Sequence, residues 1–137
     1  MDPYMLFEMI SYQFQRVRGG QSSQLRVLRF LHNHESANLK TLQMALSIKS
    51  AAMSEIVTKL EERGLITRTQ SESDKRVKDL RLTDKGERVI VNQIEQEKKM
   101  NLFSCLSDEE LSTLETTLRK INKDWRERES LPARVLD

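Results

Sequence analysis

A mainly α-helical fold carrying one small β-hairpin (α+β) is predicted by three observations on this chain. Apolar residues recur at three- and four-residue spacing along most of its length, the period of helices buried on one face. Residues 65–70 and 79–82 break that period as short strand-like runs on either side of a polar stretch, 71–78. Charged residues make up 32% and aromatics 5%, with four Gly and two Pro, a balance that argues against a β-sandwich or a disordered tail.

The elements follow in order. Residues 3–18 read as a helix with Phe7, Ile10, Phe14 and Val17 on one face, ended by Gly19-Gly20. Helix resumes over 21–34 with Leu25, Leu28 and Leu31 inward. Asn38 is the N-cap of a short helix through Leu46, in which Leu39, Leu42 and Leu46 face the core. Ser47 or Ser50 opens the next helix, whose inward set is Met53, Ile56, Val57 and Leu60. Gly64 closes it, with Arg63 in the last turn. Residues 71–78, polar or charged apart from Val77, are too many for a tight turn and form an extended loop, a wing. Thr83 caps a long helix to about Phe103, with Ile90 and Ile94 inward. Ser107 and Glu110 make a capping box for the last helix, and the tail after Glu129 frays.

Two apolar seams fall outside the central section. One is Phe7, Ile10, Phe14 and Val17; the other, at a/d spacing over two heptads, is Leu111, Leu114, Leu118, Ile121 and Trp125. Such narrow seams pack against helices. They cover each other within one subunit, or they interlock with a second copy in a two-fold dimer.

Size and composition exclude several classes. At 137 residues the chain is expected to be a single domain, 1–137, with a core that needs neither disulfide nor metal. No apolar run approaches the roughly 18 residues of a membrane span. The start MDPYMLFEM has neither a cationic segment nor a small-residue cleavage site, so no secretory signal is read. The lone Cys105 has no internal disulfide partner, which fits a reducing, cytoplasmic setting. Its neighbours Leu102, Phe103 and Leu106 predict a buried or half-buried, unreactive thiol. His32 and His34, two residues apart, point about 200° apart on a helix and do not share a metal. No nucleophile–base–orienter set, phosphate-cradling Gly loop or paired carboxylates appear, so no catalysis and no cofactor are expected.

The net charge of +2 is unevenly placed. Residues 1–37 hold 4 Lys/Arg against 3 Asp/Glu, residues 38–88 hold 11 against 8, and residues 89–137 hold 8 against 10. The positive excess lies on the helix–hairpin section, where a helix suits the major groove of duplex DNA and a cationic tip reaches the backbone or minor groove. On the helix the outward candidates are Lys49, Ser50, Ala51, Ser54, Thr58 and Lys59, with Glu55 beside them. Lys49 suits a phosphate or guanine edge, the hydroxyls suit phosphate or base, and Ala51 suits a thymine methyl. On the hairpin Lys75, Arg76 and Lys78 cluster at a tip with no core to stabilise, Asp74 is placed to orient Arg76, and Arg68 and Arg81 flank them.

The run LSIKSAAMSEIVTKLEERGLITRTQSESDKRVKDLRLTDKGERV resembles the winged helix-turn-helix core of the MarR family, bacterial transcription regulators named for multiple antibiotic resistance. The specific elements are VTKLEERGLITR (Val57 to Arg68), the wing DKR (Asp74 to Arg76) and LTDKG (Leu82 to Gly86). The resemblance implies a DNA-binding lobe at about 36–88 with helical dimerisation arms at about 3–18 and 84–128. It also implies a cytoplasmic homodimeric repressor of a pseudo-palindromic operator on double-stranded DNA. Each recognition helix would enter a major groove and each Arg76 would approach a minor groove. A small phenolic or lipophilic effector would bind between arms and lobe, where Phe7, Phe14, Met44 and Arg26 are the candidate lining, and would release the DNA. Ala51 and Ala52 depart from the family's usual Ser or Thr, and Lys75 from a second wing Arg. The rival reading is a winged-helix adaptor or anti-repressor that binds protein and no DNA.

Overall fold

Six helices and one antiparallel hairpin are formed, in the order α1 (Pro3–Arg18), α2 (Ser23–His34), α3 (Leu39–Leu46), α4 (Ser50–Glu62), β1 (Ile66–Gln70), β2 (Lys78–Leu82), α5 (Asp84–Lys98) and α6 (Asp108–Glu129). This computed structural model describes residues 1–129, and the tail expected to fray lies outside them. The mainly α fold with a β wing agrees with the sequence reading.

Side-chain caps start most of the helices. Asp2 Oδ1 accepts from the Met5 amide, Ser22 Oγ from Leu25, Asn38 Oδ1 from Thr41 and Thr83 Oγ1 from Gly86. Ser107 Oγ accepts from the Glu110 amide while Glu110 Oε1 accepts from the Ser107 amide, both at 3.1 Å. Each such cap contributes about 1 kcal/mol. Helix α4 departs from the pattern: Lys49 holds its N-cap with no side-chain bond, and Ser50 is its first helical residue. Ser47 belongs instead to the end of α3, in the left-handed region at φ 53°.

The long helix expected to reach Phe103 stops at Lys98. Nothing in the sequence of that stretch breaks a helix sharply. The chain leaves it through successive turns, in which the amides of Asn101, Ser104 and Leu106 donate to the carbonyls of Lys98, Asn101 and Phe103. Asn101 has φ 49°, a conformation asparagine tolerates better than most side chains.

The described residues form two compact units, Met1–Glu97 and the segment from Lys98 onward. The core lies in the first. Val27, Leu28 and Leu31 of α2, Leu42 of α3, Met53, Val57 and Leu60 of α4, Leu65, Ile66, Leu80 and Ile90 are all nearly or fully buried. The hairpin pairs Ile66 with Leu82 through Gln70 with Lys78. A single residue, Ala37, extends it by an antiparallel bridge to Leu80, with both backbone bonds formed. That third edge was not legible in the sequence. Ile56 and Ile94 pack against this core half-buried, shallower than their inward assignment implied.

The two seams differ from the core. None of the 16 residues of α1 is buried. Phe7, Ile10, Phe14 and Val17 are 44%, 62%, 41% and 54% exposed. In the second unit Leu111, Leu118 and Trp125 of α6 are also exposed, while Leu114 and Ile121 are half-buried.

Candidate nucleic-acid interface

Helix α4 divides cleanly into two faces. Met53, Val57 and Leu60, at spacings of four and three, are fully buried, so the opposite face is held outward by packing. Ala51, Ala52, Glu55, Thr58 and Lys59 lie exposed on it, Ser54 is half-buried at its edge, and Lys49 and Ser50 are exposed at the helix start. Thr58 Oγ1 donates to the Ser54 carbonyl at 2.9 Å, leaving its oxygen free to accept. Lys59 Nζ is 3.0 Å from Glu55 Oε1. An exposed i,i+4 pair of this kind contributes only about 0.3–0.5 kcal/mol, so a phosphate readily competes for the ammonium.

The wing tip is an ordered turn. The Ser71 amide donates to the Val77 carbonyl, the Val77 amide to the Asp74 carbonyl, and Gln70 Nε2 to the Lys75 carbonyl. Asp74 Oδ1 accepts from both the Arg76 amide at 3.0 Å and Arg76 Nε at 3.2 Å, and Oδ2 accepts from Nη2 at 3.2 Å. The orienting contact expected of Asp74 is therefore formed, while the Arg76 side chain stays 89% exposed. The side-chain bond from Arg76, then its backbone bond, hold the Asp74 carboxyl below the ordinary carboxylate value. Lys75 and Lys78 are exposed beside it. Arg68 behaves differently: its Nε lies 2.6 Å from Glu61 Oε1, which ties it to the end of α4.

A knot at the base of the hairpin fixes helix and wing together. Gly64, at φ 72°, reverses the chain after α4. Thr83 Oγ1 donates to the Gly64 carbonyl at 2.6 Å and accepts from the Gly86 amide at 3.1 Å, and the Thr83 amide donates to the Leu65 carbonyl. A Cβ on Gly86 would lie 2.0 Å from the Leu65 carbonyl oxygen, so only glycine lets α5 approach this closely. Lys85 Nζ adds a bond to the Arg63 carbonyl at 3.0 Å. The LTDKG run is thus the clamp that joins the end of α4, the hairpin and the start of α5.

This helix–turn–helix with a clamped wing agrees with what known proteins show. The MarR family model matches residues 21–78. The HTH-type transcriptional regulator MgrA of Staphylococcus aureus is 30% identical over 98 residues, covering 72% of this chain and 67% of that protein. The chain belongs to the MarR family. A MarR family protein from Bacillus stearothermophilus has the same fold, with a TM-score of 0.68 at 23% identity over 90% of this chain and 92% of that one. So has an E. coli MarR mutant solved with operator DNA, with a TM-score of 0.55 at 22% identity over 85% and 91%. As a member of the MarR family the chain is a transcription regulator, and no helix among the described residues is long and apolar enough to cross a membrane.

Beside the outward side of α4 lies a surface groove that sequence reasoning missed. Ser22, Ser23 and Gln24 at the start of α2 face Ala52, Glu55 and Lys59 of α4 across it. The sequence reading began this helix at Gln21, whereas Ser22 caps it and Ser23 is its first residue.

Of the four residues assigned to an effector cleft, Arg26 lines one. It is an open cleft of about 520 Å³ between the end of α1, α2 and Leu46, with Gln15, Arg18, Arg29 and Phe30 on its walls. Phe7, Phe14 and Met44 are exposed, with the Arg18 guanidinium 4.9 Å from the centre of the Phe14 ring. Arg29 pairs with Glu97 at 2.7 Å, whereas Arg18 Nε stays 3.8 Å from the same carboxylate and makes no hydrogen bond. Burial, then Arg29, push the Arg18 pKa down, and Glu97 opposes them.

Cys105 corrects the sequence reading: the thiol is exposed. Its apolar neighbours Leu102 and Phe103 are themselves 39% and 52% exposed, so they offer it no cover. His32 Nδ1 lies 2.7 Å from Glu87 Oε1, whereas His34 contacts the Phe30 carbonyl and stacks on the Phe30 ring.

Proposed function

We propose that this regulator is a homodimeric repressor that binds a pseudo-palindromic operator on double-stranded DNA. Helix α4 enters the major groove through Lys49, Ser50, Ala51, Ser54, Thr58 and Lys59. The wing, through Lys75, Arg76 and Lys78, follows the backbone into the neighbouring minor groove, with Asp74 setting the Arg76 direction. Arg68 serves as a brace between α4 and the hairpin through Glu61 and joins the DNA from there. The observation that carries the reading is the Thr83–Gly86 clamp, which holds an exposed helix face and an exposed cationic tip on one body.

The lobe at about 36–88 is the reading head, and the arms at about 3–18 and 84–128 dimerise through Phe7, Ile10, Phe14, Leu111, Leu114, Leu118, Ile121 and Trp125. Their exposed apolar surface on α1 and α6 supports this. A small phenolic or lipophilic effector in the cleft beside Arg18 and Arg26 lowers the DNA-competent population.

Selection of bound duplexes from random DNA at two salt concentrations tests the reading. A two-fold symmetric consensus whose affinity falls steeply with salt is expected. Arg76→Ala should weaken binding about tenfold across sequences and flatten the salt slope by about one ion. A protein-binding adaptor would retain no duplex even in dilute buffer.

A further inference from the structure

The joint between α3 and α4 carries the first residues of the reading face; Leu46 and Ile48 anchor it on the core, but its own hydrogen bonds are few. Lys49 gives α4 no side-chain cap, and Ser47 leaves α3 in the left-handed region. The Ile48 amide closes the turn on the Gln43 carbonyl at 3.2 Å, near the long end of the range. A brace comes from outside. Arg26, part-buried on α2, donates Nη2 to the Leu46 carbonyl at 2.7 Å. Leu46 is the last residue of α3, so its carbonyl is among the four that lack a partner within the helix. A guanidinium there also meets the negative end of the helix dipole, and a charge-assisted bond of this length is roughly twice as strong as a neutral one.

We propose that Arg26 is a positioning residue for DNA reading: by holding the Leu46 carbonyl it sets the angle at which α4 presents Lys49, Ser50 and Ala51. The inference rests on the DNA-binding reading above and names a residue that touches no base. Arg26 sits on the neighbouring helix, and its bond spans twenty residues, so it ties the angle of α4 to the core packing of Val27 and Leu28. Neutral removal of the guanidinium leaves the core intact and frees the turn.

The test compares wild type, Arg26→Met and Arg26→Lys as full-length proteins. Amide hydrogen exchange is read at Ile48, which donates to Gln43 at the end of α3, and at Met53, which donates to Lys49 in the first turn of α4. Arg26→Met should speed exchange there selectively, and Arg26→Lys should restore part of the protection. On DNA, the preference of Arg26→Met for the selected site over half-site substitutions should fall about tenfold, the size of one lost base contact, with the salt slope unchanged. Exchange at Ile48 and Met53 equal to wild type overturns the proposal. So does a loss of protection spread evenly over the lobe, or an unchanged preference. If wild type itself prefers no sequence, the DNA reading falls, and selective exchange at the joint still assigns the brace to Arg26.

Discussion

Helices α4 and α1 are both amphipathic and similar in length, yet they end in opposite states. Helix α4 finishes its apolar face inside the lobe, with Met53, Val57 and Leu60 fully buried. Helix α1 has an equally regular apolar face, yet no residue on it is fully buried and Ile10 is 62% exposed. The difference separates two uses of the same pattern. A seam completed within the chain orients what lies opposite it, and here that is a polar face turned to solvent. A seam left in water carries a standing cost of about 25 cal/mol per Å² and calls for another surface.

The comparison can be broken at several strengths. The largest effect is expected on the completed seam: Leu60→Ala should cost about 2–5 kcal/mol, read as a shifted urea midpoint, because it opens a cavity under α4. On the open seam, the double change Ile10→Glu with Phe14→Glu should leave the lobe's core resonances in place and convert a dimer to a monomer by sedimentation. A dimer that survives it would remove α1 from the interface. The smallest effect belongs to the wing. Asp74 has its carboxyl held below the ordinary value, so its contact with Arg76 is complete above that range and lost as pH falls through the lowered value. Arg76 Nε–H should therefore shift in NMR spectra only in strong acid, and Asp74→Asn should place it at the acid position at every pH.

Legibility in the sequence followed the same division. Asn38, Ser107 with Glu110, Thr83 and Gly64 could be assigned because capping is local chemistry that one or two side chains decide. The end of α5 could not, because no proline or glycine marks it and the turn is made by Asn101 at φ 49°. Cys105 misled for a related reason. Apolar neighbours mean burial only when something covers them, and Leu102 and Phe103 stand in solvent. On α4, the exposure of Ala51, Glu55, Thr58 and Lys59 followed from periodicity, whereas Ser54 is half-buried and Lys49 is the N-cap. The tie between Arg68 and Glu61, the Ala37 bridge and the reach of Arg26 to Leu46 each join distant segments, and no short-range pattern encodes them.

The clamp at Thr83 has a mechanical consequence. With one hydroxyl bonded to both Gly64 and Gly86, and no room for a side chain between α5 and Leu65, helix and wing cannot splay apart without breaking that joint. The end of α4 and the root of the wing therefore move as one piece, like a fork fixed at its base. It can tilt or withdraw as one piece, so contacts made by its two tines would be gained or lost together.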